Sequence, residues 1–190
     1  FHTSYYSFVT RERLRRDNGH SDNYVLQRHA SGGPSLAAEN LAMMDRWLSN
    51  LALDSSADPV GTRLVRAKPP ELVESCYDAD GKRIVEPQEF DEHHLYENTA
   101  GACNTLYPPH TGTRMIAGAP LASDILKCQL EPLDRADYAV TFTDTEWTRL
   151  QRIFPDGVCD WSKPGVGQDV TPRTWLSYGP SPLNRFTPPA

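Results

Sequence analysis

Up to residue 57 the apolar positions recur at helical spacing, and beyond it that rhythm breaks into short runs. Over 4–17, Tyr5, Phe8, Val9 and Leu14 can line one side of a helix while Arg11, Glu12, Arg13, Arg15 and Arg16 face water. Asn18-Gly19 supplies the stop, because glycine tolerates the left-handed conformation that ends a helix. Asn23-Tyr24-Val25-Leu26-Gln27 predicts a short strand, running into the loop Arg28-His29-Ala30-Ser31-Gly32-Gly33-Pro34. A long helix is predicted over 35–52, with Ala37, Leu41, Met44, Leu48 and Leu51 as its inner face and Met43 and Trp47 flanking it. Helix, strand, histidine loop and helix together predict the closing unit of an α/β sheet.

After residue 58 the turn signals dominate. Leu72–Tyr77 and Arg83–Val85 flank Asp78-Ala79-Asp80-Gly81, a hairpin pattern. An acidic, aromatic stretch fills 86–98, followed by Pro108-Pro109 and a Gly/Ala/Pro segment at 117–120. Thr143-Asp144-Thr145-Glu146 reads as a capping box opening a helix whose inner face would be Trp147, Leu150, Ile153 and Phe154, closed by Pro155-Asp156-Gly157. Residues 158–190 carry six prolines and two tryptophans, the pattern of an extended tail laid on another surface. The expected organisation is a 1–57 α/β unit and a 58–190 proline-rich segment packed upon it.

Composition narrows the function classes. The 190 residues carry 25 acidic against 19 basic side chains, a net charge of −6, which disfavours binding to nucleic acid or to an anionic membrane. Mean hydropathy is −0.56, and no apolar run approaches the roughly 18 residues of a membrane span. Cys76, Cys103, Cys128 and Cys159 are separated by 26, 24 and 30 residues, with none of the close pairs that zinc sites use. They fit two disulfides in an oxidising compartment, and of the three possible pairings the sequential one closes two loops within the proline-rich half. Lys127 beside Cys128 could lower a thiol pKa, but a staple is the simpler role.

Among the histidines His2, His20, His29, His93, His94 and His110, His29 has the most informative place: after a strand, in a glycine-rich loop, before a long helix. The general-base histidine of an α/β-hydrolase occupies that position, and an ordinary polar loop residue does so too. His93-His94 amid Asp91, Glu92 and Glu97 offers metal-ligand chemistry, yet adjacent side chains diverge and a solvated acidic loop accounts for them. Asp78-Ala79-Asp80-Gly81 lacks the distal glutamate of a calcium loop. No Gly-x-Ser-x-Gly, phosphate-binding glycine loop or dinucleotide fingerprint occurs, so the chain alone is not expected to be an enzyme.

Three stretches carry a family resemblance: Gly118-Ala119-Pro120-Leu121, Asp124–Leu130, and the run from Phe154-Pro155-Asp156-Gly157 through Cys159-Asp160-Trp161 to Gln168. They resemble the C-terminal signature of a family of large secreted bacterial proteins of unknown function related to α/β-hydrolases. The resemblance extends less sharply over Ser7–Asn23 and the helix 35–52. More distantly, the helix–strand–histidine–helix unit is similar to the end of tannases and feruloyl esterases. The resemblance implies Ser-His-Asp acyl-hydrolase chemistry with the nucleophile and acid upstream of Phe1, and only His29 carries over, as the base. His2 competes, lying near where an acid loop would end. One departure is Ala30, where tannase-like enzymes often have cysteine.

The expected reading is therefore the C-terminal chain of a secreted serine hydrolase of carboxylic esters, or of amides. It would be proteolytically processed and paired with an N-terminal companion chain of the same precursor, needing no metal or organic cofactor. The opening Phe1-His2-Thr3-Ser4, which runs almost at once into a helix, is the feature that prompts the processed-fragment expectation. Two rivals stay open: a non-catalytic secreted binding module, and a structural remnant of a hydrolase-like protein with its triad lost.

Overall fold

A computed structural model describes residues 4–30, 33, 35–93 and 98–168. The backbone contacts divide the chain into two compact units, Phe1–Asp124 and Ile125–Ala190. The compositional boundary at 57/58 thus falls inside the first unit, because strands on either side of it pair.

In the first unit α1 (Tyr5–Asn18) buries Tyr5, Phe8 and Val9 and ends at Gly19, whose φ of 77° is left-handed. These side chains form a core with Leu26, Phe90, Met115 and Leu121, against which Tyr24 packs. Phe90 comes from the acidic 86–98 stretch and meets Tyr5 edge-on at 5.6 Å and Phe8 at 5.7 Å. Arg11, expected to face water, is instead buried. It lies three residues after Phe8 on the same face, and its charge is met by Glu74 at 2.9 Å and Glu89 at 3.2 Å while the guanidinium covers the Phe8 ring.

The expected strand at 23–27 enters a ladder only at its end. β1 (Gln27–Arg28) pairs parallel with β2 (Ser75–Tyr77), Gln27 opposite Ser75 and Arg28 opposite Cys76. β2 in turn pairs antiparallel with β3 (Arg83–Val85) through the expected hairpin, giving the order β1-β2-β3.

The long helix is present as α2 (Ala37–Leu53), but its packing face differs from expectation. Trp47 is its buried residue; Leu41, Met44 and Leu48 of the predicted inner face are 72, 50 and 55% exposed. The helix docks on α3 (Val60–Ala67) with its polar-capable side: Trp47 Nε1 donates to Leu64 O at 2.8 Å and Asn50 Nδ2 to Ala67 O at 3.0 Å. At 3.6 residues per turn this side is roughly a third of a turn from the apolar stripe, which is left uncovered. Two short helices, α4 (Gly101–Leu106) and α5 (Thr113–Ile116), complete the unit.

In the second unit β4 (Gln129–Glu131) pairs antiparallel with β5 (Val158–Asp160), so the first three residues of the expected extended tail are a paired strand. Between them lie a 3-10 turn at Arg135–Asp137 and α6 (Asp144–Ile153), opened by the expected capping box. The face of α6 expected to be internal is not buried, and Ile153 and Phe154 are exposed. Trp147 instead meets Tyr138 and Phe142 in a half-buried aromatic cluster, with Arg135 over the Trp147 ring. The tail residues 169–190 lie outside the described residues. The disulfides are Cys76–Cys103 and Cys128–Cys159, one in each unit and in the sequential arrangement.

Candidate functional site

β1 exposes alternate sides of the chain, and the alternation separates two adjacent residues: Arg28 is buried and His29 is exposed. Past the strand the backbone turns, Gly33 N–H donating to Ala30 O at 3.0 Å. The same carbonyl lies 2.8 Å from His29 Nδ1. A carbonyl can only accept, so this contact places the proton of neutral His29 on Nδ1 and leaves Nε2 as the available base. Gly33 is held close here: a Cβ at this position would lie 3.1 Å from Ala30 O and 3.7 Å from His29 Nδ1. His29 borders an open cleft of about 350 Å³ with Ser4, Ser7, Gln27 and Tyr107. Among the described residues no carboxylate lies within ion-pair distance of its ring.

Beneath His29, the Arg28 guanidinium is bound on three sides. Its Nε donates to Gln88 Oε1, its Nη1 to Tyr107 O at 2.8 Å and its Nη2 to Asn104 Oδ1 at 2.5 Å. Gln88 uses its amide to donate to Leu26 O and Ser75 O, at 2.9 and 3.1 Å, tying the residue before β1 to β2. Asn104 donates to Glu89 O at 2.7 Å. Burial pulls the Arg28 pKa down to about 10, opposed by the carboxylates of Glu86 and Glu74, so the group stays cationic at neutral pH. Glu86 also holds α4, its carboxylate accepting from Ala102 N at 3.1 Å and Cys103 N at 2.5 Å, where a helix N-terminus favours negative charge. Sequence reasoning missed Arg28. The signal it offered was a charged residue continuing a β-favouring run one position before His29.

The other candidates are not assembled into a site. His93 N–H is accepted by Asp91 Oδ1 at 2.8 Å, and no cluster of three or more metal-binding side chains forms among the described residues. His2 and His94 lie outside those residues. Asp78 Oδ1 accepts from Asp80 N and Lys82 N, at 3.0 and 2.8 Å, which makes it the brace of the hairpin turn. All four cysteines are in disulfides, so Cys128 is bonded to Cys159 and is not a reactive thiol. No helix among the described residues is long and apolar enough to cross a membrane, and two disulfides are consistent with an extracellular protein.

No curated protein and no solved structure matches the chain. A family model described as a tannase-like family of unknown function, DUF6351, matches residues 1–170. The histidine loop, both disulfides and all of the described structure fall inside that match, and the chain belongs to this tannase-like family.

Proposed function

We propose that this chain is the C-terminal part of a secreted α/β-hydrolase that cleaves carboxylic esters, and chemically adjacent amides, through an acyl-serine intermediate. The observation that carries the reading is His29. It is exposed at the end of a parallel strand and lines a cleft, with Nδ1 engaged by a carbonyl and Nε2 left as the ring's available base, in a chain of tannase-like family. In this reading Nε2 takes the proton of a serine hydroxyl as its oxygen attacks the substrate carbonyl. The imidazolium then gives that proton to the departing alcohol or amine, and water repeats the sequence to release the acid.

The serine and the acid belong to the upstream portion, on a companion chain of the same precursor, because no nucleophile-elbow motif occurs in these 190 residues. The uncovered Leu41, Met44 and Leu48 stripe of α2 supports such a companion, since an apolar helix face of this kind ordinarily packs against another layer. The chemistry requires no metal or organic cofactor.

A non-catalytic binding or structural role is the second reading, favoured by the Nδ1 contact to Ala30 O where a triad would have a carboxylate. Fluorophosphonate labelling of natively purified protein, with mass spectrometry of every chain, separates the two. One serine adduct on an upstream portion, lost or strongly slowed in His29→Ala, is the expected result. No adduct, or a labelling rate that His29→Ala leaves unchanged, removes the catalytic reading.

A further inference from the structure

β1 is two residues long and has two ladder pairs, which is too little to hold the register of the residue that follows it. Something else must set where His29 projects. Three observations converge on its neighbour. The Arg28 side chain enters the interior and is held at three nitrogens by Gln88, Asn104 and the Tyr107 carbonyl. Gln88 and Asn104 are themselves fully buried and anchored by further hydrogen bonds, Gln88 to the Leu26 carbonyl just before β1 and to the backbone of β2. Cys76, the register partner of Arg28, is bonded to Cys103, the residue beside Asn104, so α4 is covalently fastened next to the clamp.

We propose that Arg28 is a positioning residue for His29, its three-point clamp fixing the end of β1 so that the imidazole meets the serine in reacting geometry. The inference rests on the reading of His29 as the base. Arg28 transfers no proton and needs no contact with substrate; it acts through the backbone it shares with His29. A planar guanidinium suits this task because its donors diverge at fixed angles, whereas an ammonium is a point charge that cannot reproduce the three directions.

The test uses the whole protein with its upstream portion, p-nitrophenyl acetate as the probe, and kcat and KM read separately. His29→Ala is the reference and is expected to fall to background. Arg28→Met is expected to lower kcat by about 10–100-fold while KM stays within about twofold, the signature of misplacement rather than lost binding. Arg28→Lys is expected to recover part of the loss. Gln88→Met keeps the side-chain volume while removing one acceptor from the clamp, and carries the test if Arg28→Met does not fold; its expected kcat loss is about 3–10-fold.

A wild-type kcat in Arg28→Met or Gln88→Met, with His29→Ala inactive, overturns the positioning role and leaves the base intact. A raised KM with unchanged kcat also overturns it, placing Arg28 in substrate binding through the cleft it borders. Wild-type turnover in His29→Ala overturns the base reading, and the positioning role with it.

Discussion

Ala30 O is the fulcrum of the histidine loop, facing both Gly33 N–H and His29 Nδ1. Gly33→Ala puts a methyl group 3.1 Å from that oxygen, so the carbonyl must give by a few tenths of an ångström. Because the imidazole rests on the same atom, the expected outcome is a severalfold slower fluorophosphonate labelling, on the order of what small misplacements cost, with little change in denaturation midpoint. Labelling at the wild-type rate would show that the loop does not set the histidine. Arg11 is a stability residue by contrast. Arg11→Met removes a buried guanidinium from the partly buried Glu74 and the exposed Glu89, and a loss of about 2 kcal/mol in urea unfolding is expected. Its burial was not legible from the sequence because hydrophobic periodicity assigns every arginine to solvent. An arginine one turn from Phe8 goes inside only when distant carboxylates, here 63 and 78 residues away, arrive to meet it.

Local signals were readable where a helix or turn carries its own code. The extents of α1 and α2, the Asp78–Gly81 hairpin and the Thr143/Glu146 capping box follow from caps, glycine and spacing. α3, α4 and α5 did not, since eight, six and four residues are too few for a 3.6-residue period to show. The neighbour α2 meets within this chain was not legible either, because its stripe says which side is apolar and not which element packs on the helix. At the candidate site His29 stood out by its place after a strand, whereas the clamp beneath it is assembled from Gln88, Asn104 and Tyr107, 60 to 79 residues away in sequence. The α2–α3 connection makes a prediction at this scale. Asp54 is held down to about 2 by the Ser56 hydroxyl and backbone N–H, then by Arg66. A carboxylate depressed in the folded state adds stability that is complete above its unfolded value, about 3.9, and is lost as pH falls toward the folded one. The Trp47 indole N–H, bonded to Leu64 O across this helix pair, is expected to shift with a midpoint near pH 2 in an NMR titration of the folded protein. Asp54→Asn should abolish that transition; its persistence would assign it to another group.

Across the chain, the two units are stapled alike but filled differently. Each disulfide spans a similar loop, 27 and 31 residues apart in sequence, so loop entropy alone gives each about 3–4 kcal/mol. The environments differ. Cys76 and Cys103 are wholly buried, whereas Cys128 and Cys159 are half-buried, and only Ile125 and Asp160 are buried among the described residues of the second unit. A thiolate must reach a sulfur to exchange with it, so accessibility orders the two reactions. Dithiothreitol without denaturant is therefore expected to open Cys128–Cys159 first, leaving Cys76–Cys103 intact until the first unit unfolds. Alkylation at timed intervals with peptide mapping reads the order directly. The first unit should keep its folded near-ultraviolet signature, and the His29-dependent serine labelling should persist, after the first bond is cut, because the clamp around Arg28 draws only on residues before 125. Simultaneous reduction of both bonds under native conditions would mean that the first unit opens far more often than its buried core allows.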